Sequence, residues 1–245
     1  MKEMRLDKIL ASSGRWSRKE VKKLIREGRV LVDGKAAQTA EQKCDPELTE
    51  LCVDGIPVPF CSHRYVMLHK PAGVLSATED RRTATVLQLL PPDLQKLGLF
   101  PVGRLDKDTE GLLLMTDDGE LAHCLLSPKR HVDKVYYAET EGRLTEEDCA
   151  AFAAGMLLED GMCCLPARLE ILSSGEKSCA YVTLQEGKFH QVKRMLAARG
   201  KPVLYLKRLS MGPLQLDPAL EKGAWRYLSE SEQKSLLALK STGKV

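Results

Sequence analysis

The chain has 245 residues, of which 43% are hydrophobic and 29% charged, and its formal net charge at pH 7 is +3. This length allows one large domain or two, and this apolar content is enough to build a hydrophobic core. The apolar runs are short and broken by charge, and the N-terminal MKEMRLDKIL lacks an apolar signal-peptide segment. These features exclude a membrane-spanning helix and predict a cytoplasmic protein.

The eight cysteines form no C-x-x-C pair and have no histidine at zinc-finger spacing. This pattern argues against a metal site and predicts free thiols, most of them buried. The chain also contains no G-x-G-x-x-G after a predicted strand and no P-loop, so no cofactor is expected.

The positive charge is concentrated near the N-terminus: residues 1–43 carry 12 Lys/Arg and 6 Asp/Glu, against 25 and 28 in the rest. Ser17 and Glu20 have capping-box spacing, which predicts a helix that begins there and ends at Gly28. One helix face is apolar, and the opposite face carries Arg18, Lys19, Lys22, Lys23 and Arg26. That face is either an ordinary solvated surface or a contact for a phosphate backbone, and the clustered cations favour nucleic acid.

Two short strands with Asp-Gly turns follow at residues 28–34 and 51–55, so a first module is predicted over residues 1–59, with a linker at 60–64. The second module, residues 60–245, has a mixed order of elements and is predicted to be α+β with a mixed or antiparallel sheet. Its predicted strands are 65–69, 111–116, 134–140, 166–172, 178–185 and 203–209. Its predicted helices are 83–90, 118–126, 145–154 and 188–199.

Residues 103–119, GRLDKDTEGLLLMTDDG, place two carboxylates, Asp106 and Asp108, in a charged loop directly before an apolar strand. A loop attached to a buried strand holds a reactive side chain in place, so this segment is the candidate site. The turn HKPAG at 69–73 is either simple turn chemistry or part of the site, and we assign Lys70 to substrate binding. Tyr136 and Tyr137 are expected on opposite faces of one strand.

In EGKFHQVKRM, residues 186–195, a helical wheel groups Phe189 with the apolar residues that follow it. Lys193 lies at the edge of this face, so it is expected to reach inward toward an acidic partner. His190 and Arg194 point away from that face and are expected to meet solvent or phosphate. A histidine with a satisfied hydrogen bond is the favoured interpretation of His190, and catalysis the alternative.

Residues 1–59, with RLDKILASSGRWSRKEVKKLIREGRVLVDGK, resemble an S4 (α-L) RNA-binding domain. Residues 65–235 resemble a pseudouridine synthase catalytic domain through KPAGVLSAT (70–78), GRLDKDTEGLLLMTDDG (103–119), KVYYA (134–138) and EGKFHQVKRM (186–195). SPKRHVDKVY (127–136) and MTDDG are most similar to the bacterial branch that modifies 16S rRNA of the small ribosomal subunit, the RsuA family.

The resemblance implies a role for each matching side chain. Asp106 corresponds to the essential aspartate of the family, and Lys193 to the basic residue that pairs with it, which is usually Arg. Tyr136 corresponds to the tyrosine packed against the target base, and Arg104 to an arginine that helps to extrude it. Leu196 corresponds to an apolar residue that lines the pocket.

The implied reaction isomerises uridine to pseudouridine in ribosomal RNA after base flipping, with no cofactor because no electrons are exchanged. Asp106 acts as a nucleophile at the sugar or the base, or as a base toward the sugar. The alternatives are the same chemistry on 23S rRNA and a non-catalytic RNA-binding assembly factor. A glycoside hydrolase is disfavoured because Asp108 is too close in sequence to be placed opposite Asp106. The chain is expected to be a monomer.

Overall fold

The computed structural model describes residues 3–13, 15–46, 48–58, 60 and 63–241. The chain divides into two compact units, Met1–Arg64 with Pro91–Leu99, and Tyr65–Leu90 with Phe100–Val245. The predicted domain boundary at residue 59, and residues 61 and 62 of the predicted linker, lie outside the described residues. The boundary therefore stays a prediction.

The first unit packs two of its helices with short antiparallel strands around an apolar core. Leu6, Ile9 and Leu10, at helical spacing, place their side chains in that core, as do Val21 and Leu24. The helices are α1 (Leu6–Ser12), α2 (Arg18–Arg26) and α3 (Pro92–Gln95). The strands are β1 (Met4–Arg5), β2 (Val30–Val32), β3 (Lys35–Ala36), β4 (Lys43–Cys44), β5 (Leu51–Val53) and β6 (Ile56–Pro57).

The predicted capping box at the start of α2 is confirmed. The Ser17 N–H donates to Glu20 Oε2 at 2.6 Å, and the Glu20 N–H donates to Ser17 Oγ at 3.2 Å. Two amides that a helix N-terminus would otherwise leave unpaired are thereby satisfied. The apolar face of α2 is buried, which leaves its basic face outward.

The second unit is built on a sheet that has nine strands among the described residues. Its strands are β7 (Tyr65–Lys70), β8 (Phe100–Pro101), β9 (Glu110–Thr116), β10 (Lys134–Glu141), β13 (Arg168–Ser173), β14 (Lys177–Leu184), β15 (Val203–Met211), β16 (Leu214–Gln215) and β17 (Trp225–Tyr227). A separate hairpin pairs β11 (Met156–Leu157) with β12 (Cys163–Cys164). The helices are α4 (Gly119–Leu126), α5 (Glu146–Ala154), α6 (Gln191–Ala198) and α7 (Glu230–Ser241).

The main strand order is β13-β14-β10-β15-β9-β7-β17, with β16 on β15 and β8 on β9. The β15–β9 pair is parallel and the other pairs are antiparallel, so the sheet is mixed, as predicted. All seven residues of β9 are buried, in agreement with its apolar run. At Gly111 in β9, where φ is +109°, an added Cβ would lie 2.2 Å from the Arg208 carbonyl oxygen. Only glycine lets β15 approach this closely.

The predicted strands are confirmed to within two residues, and the helices predicted at 118–126 and 145–154 to within one. The helix predicted at 83–90 is wrong: this stretch contains only a 3₁₀ turn, Val86–Leu89. Leu90 is extended because it precedes Pro91, and a residue before proline is sterically excluded from the helical conformation. A second 3₁₀ turn spans Pro128–Arg130.

None of the helices in the described part of the chain is long and apolar enough to span a membrane. Seven of the eight cysteines are described, and all seven are free thiols. Cys44, Cys124 and Cys164 are buried, Cys163 is exposed and the other three are half-buried, so the expectation that most are buried is wrong for the described cysteines. Cys61 lies outside the described residues.

Candidate active site

The loop that carries Asp106 connects β8 to β9 and is held by a buried ammonium group. Lys70, at the end of β7, is completely buried. Its Nζ donates to the carbonyl oxygens of Asp106 (3.0 Å), Lys107 (3.2 Å) and Thr109 (2.8 Å), and also to that of Pro71 (3.0 Å). The assignment of Lys70 to RNA binding is therefore wrong: its charged group faces the protein and fixes the course of the loop.

Two further contacts tie the same loop to the segment after β7. The Ser76 hydroxyl donates to the Leu105 carbonyl at 2.9 Å and accepts from the Leu105 N–H at 3.0 Å. The Gly73 N–H donates to the Lys107 carbonyl at 2.7 Å. Because both sides of Asp106 are anchored through the main chain, its carboxylate has a defined position.

The Asp106 carboxylate has three polar neighbours on its own loop and near α6. Lys193 Nζ lies 3.3 Å from Oδ2, and His190 Nε2 lies 3.5 Å from Oδ1. The Thr109 hydroxyl donates to Oδ2 at 3.5 Å. The Asp106 side chain is 22% exposed, so it remains accessible from the cleft.

Asp108 contacts the same ammonium group as Asp106. Its Oδ1 accepts a 2.5 Å hydrogen bond from Lys193 Nζ, which is closer than the contact of Lys193 with Asp106. This contact with Lys193 holds the pKa of Asp108 below its usual value. Lys193 is thus shared between two carboxylates.

The positions of His190 and Phe189 differ from the helical-wheel prediction. Helix α6 begins at Gln191, and His190 adopts the left-handed conformation (φ 51°, ψ 32°) just before it. The turn directs His190 to Asp106, and leaves Phe189 72% exposed with its ring stacked on His190 at a centroid distance of 3.8 Å. A wheel assumes helical backbone at every residue, and that assumption fails here. Arg194, predicted to face solvent or phosphate, instead forms an ion pair with Asp160.

Two adjoining cavities, of about 640 and 60 Å³, open beside Asp106. Both are lined by Arg104, Asp106, Tyr136 and His190. The larger volume lies within the range of small-molecule binding sites. Arg104 is exposed and makes no ion pair with any residue that the structure describes, so its guanidinium group is available to an anionic ligand.

Tyr136 and Tyr137 occupy opposite faces of β10, as predicted. Tyr136 is 8% exposed and lines the cavities. Tyr137 donates its hydroxyl to Glu139 Oε1 at 3.1 Å and packs edge-to-face against Tyr181 and Tyr205. Of these two tyrosines, only Tyr136 therefore places its ring beside Asp106.

Leu196 is not placed as the sequence predicted. Its side chain is completely buried, and Val192, one turn earlier on α6, lines the smaller cavity instead. Leu196 therefore supports α6 from within the core rather than meeting a ligand.

The basic face of α2 is exposed along its whole length. It is not free of acids, however: Lys22 Nζ lies 3.4 Å from Glu41 Oε1, and Lys23 Nζ lies 3.8 Å from Glu27 Oε1. Among the residues that the structure covers, no ion pair engages Arg18, Lys19 or Arg26. These three cations are the members of the predicted face most available to phosphate.

Comparison with known proteins identifies the class to which this fold and site belong. Residues 64–198 match the RNA pseudouridylate synthase family, and residues 4–49 match the S4 domain. The chain therefore belongs to the RNA pseudouridine synthase family and is an isomerase with an N-terminal S4 domain, as the sequence motifs predicted.

Its relatives match over almost their full length. An uncharacterized RNA pseudouridine synthase of Bacillus subtilis, YtzG, is 50% identical over 230 residues, which are 94% of this chain and 96% of the relative. Ribosomal small subunit pseudouridine synthase A of Pseudomonas aeruginosa is 42% identical over 235 residues, covering 94% and 98%. A crystal structure of a pseudouridylate synthase superimposes with a TM-score of 0.67 at 35% identity, covering 95% of this chain and 99% of that one.

Proposed function

We propose that this enzyme isomerises a uridine of ribosomal RNA to pseudouridine, that the target lies in the 16S rRNA of the small subunit, and that Asp106 is the catalytic residue. The observation that carries the proposal is the Asp106 carboxylate, anchored through its main chain, paired with Lys193 at 3.3 Å and open to a cleft. The similarity to small-subunit pseudouridine synthases supports the choice of 16S rRNA.

The cleft is suited to a nucleotide that has left its helical stack. Arg104 is exposed at the cavity and able to meet the RNA backbone, while Tyr136 offers a ring against the uracil. Extrusion of the base costs stacking energy, and contacts of this kind offset it. In the S4 unit, Arg18, Lys19, Lys22, Lys23 and Arg26 add affinity for the backbone rather than the choice of base.

The reaction breaks the N1–C1′ bond, turns the base and joins C5 to C1′; N1 gains a proton and C5 loses one. Asp106, ionised beside Lys193, supplies the electron pair for the attack or for proton removal from the sugar. Lys193 orients the carboxylate, and Asp108 contacts the same ammonium group. The enzyme acts as a monomer.

The test is tritium release from RNA that contains 5-³H-uridine, since C5 loses its hydrogen only if pseudouridine forms. Asp106→Asn should reduce release by about 10³-fold or more while RNA affinity stays within about threefold. Asp80→Asn, an exposed aspartate of the same unit, is the matched control. An Asp106→Asn protein that releases tritium at the wild-type rate would refute the assignment of Asp106 as the catalytic residue.

Lys193→Met should lower kcat more than RNA affinity, because Lys193 acts on Asp106 rather than on the RNA backbone. The choice of substrate is tested separately by mapping pseudouridines in rRNA from a strain that lacks the enzyme. A site missing from 16S rRNA, and restored by the wild-type protein but not by Asp106→Asn, is the expected result. Loss of a site in 23S rRNA instead would contradict the proposed target.

A further inference from the structure

Two buried basic residues line the larger cavity, and neither has a role in the reaction described above. Lys134, the first residue of β10, is 3% exposed, and Arg208, in β15, is 2% exposed. Arg208 is the cross-strand neighbour of Tyr136, and Lys134 lies two residues before Tyr136 on the same strand. All three side chains therefore occupy one face of the sheet, beside Asp106.

The two cations have carbonyl partners but no carboxylate partner. Lys134 Nζ donates to the Val132 carbonyl at 2.9 Å, and Arg208 Nε donates to the Leu112 carbonyl at 2.8 Å. Arg208 Nη2 is buried and has no hydrogen-bond partner within the described ranges. Among the residues that the structure describes, no carboxylate oxygen lies within 4.0 Å of either cationic group.

Such an arrangement is unfavourable unless something else neutralises it. A buried cation without an opposite charge loses hydration that carbonyl dipoles only partly replace. Burial, together with the nearby charge of Arg208, lowers the pKa of Lys134 to about 8. An anion in the cavity that both residues line would supply the missing opposite charge.

We propose that Lys134 and Arg208 form an anion subsite that takes a phosphate group attached to the target uridine. The inference rests on the proposed function, which places that nucleotide in the cleft beside Asp106. The chemistry of RNA limits the choice of anion, because its phosphates are the charged groups nearest to a flipped base. The planar guanidinium of Arg208 and the point charge of Lys134 match a phosphate that accepts several hydrogen bonds.

To test the subsite, NMR titration of the full-length protein measures its affinity for uridine, for uridine 5′-monophosphate and for uridine 3′-monophosphate. The wild-type protein should bind at least one monophosphate about tenfold more tightly than uridine. In Lys134→Met that preference should fall below about threefold, with uridine affinity unchanged, which also shows that the variant is folded. Lys207→Met is the matched control, because Lys207 neighbours Arg208 on β15 but points to the opposite face.

A second measurement needs no variant. Inorganic phosphate should weaken the binding of the preferred monophosphate but not that of uridine. The proposal is wrong if wild-type protein binds uridine and both monophosphates alike, if Lys134→Met keeps the preference, or if inorganic phosphate competes with neither ligand. Tighter binding of inorganic phosphate than of either monophosphate would assign the subsite to the free ion and also overturn the proposal. Tritium release from RNA reports the proposed function independently of these titrations.

Discussion

Replacing Lys70 by methionine should loosen the loop that carries Asp106 without changing any residue of that loop. Methionine has a similar length but donates no hydrogen bond, so three loop carbonyls and that of Pro71 lose their shared donor. With about 1 kcal/mol for each of the three loop contacts, the free energy of unfolding should fall by about 3 kcal/mol. Burial lowers the pKa of Lys70 to about 8, so release of the buried ammonium offsets part of the loss.

The same change should lower kcat by about 100-fold, because a displacement of about 1 Å in a catalytic group has effects of this size. Chemical denaturation measures the stability, and single-turnover tritium release measures the chemical step. Lys107→Met is the control for stability: Lys107 lies on the same loop but is exposed, and its replacement should cost less than about 0.5 kcal/mol. A Lys70→Met protein with unchanged stability and with kcat within about threefold of wild type would refute the role given to Lys70.

Two further predictions concern the scaffold. Gly111→Ala should lower the free energy of unfolding by more than about 3 kcal/mol, because the added Cβ would lie 2.2 Å from the Arg208 carbonyl oxygen. Gly119→Ala, whose Cβ would have nothing within 4 Å, should be neutral or stabilising by about 0.5 kcal/mol. Equal denaturation midpoints for the two variants would contradict the packing argument. Arg226 lowers the pKa of Glu232 from its ordinary 4.5 to about 2, so this carboxylate adds stability above pH 4.5 that is lost as the pH falls toward 2. Glu232→Gln should therefore cost about 2 kcal/mol at pH 7 and progressively less in acid, and a cost independent of pH would refute the ion pair.

Local patterns predict much of this fold. The Ser17–Glu20 capping box gives the start of α2, and the apolar run after Asp106 gives β9. Helix α7 is absent from the predicted elements although it too begins with a capping box: the Ser229 N–H donates to Glu232 Oε2 at 2.7 Å. That signal was present in the sequence, as was the helical spacing of Leu6 and the apolar residues that follow it in α1.

The site is predictable only in part, because some of its contacts have no sequence signature. The loop before β9 and the motif around Lys193 bring Asp106 and Lys193 together, as expected. The four acceptors of Lys70, in contrast, are carbonyl oxygens, which every residue carries, so no pattern indicates which lysine holds which loop. The left-handed backbone at His190 also escapes periodicity, since nothing in a helical wheel reports where the helix begins.

The hydrogen bonds from Lys70 to the loop have a consequence for which loop residues can be substituted. Within the loop, Lys70 Nζ donates only to main-chain carbonyl oxygens, so the side chain of Lys107 takes no part in these hydrogen bonds. The exposed side chain at position 107 can therefore be exchanged while the carbonyl contacts that hold Asp106 stay in place. A loop held through its main chain tolerates variation in an exposed side chain without losing the position of the residue that it carries.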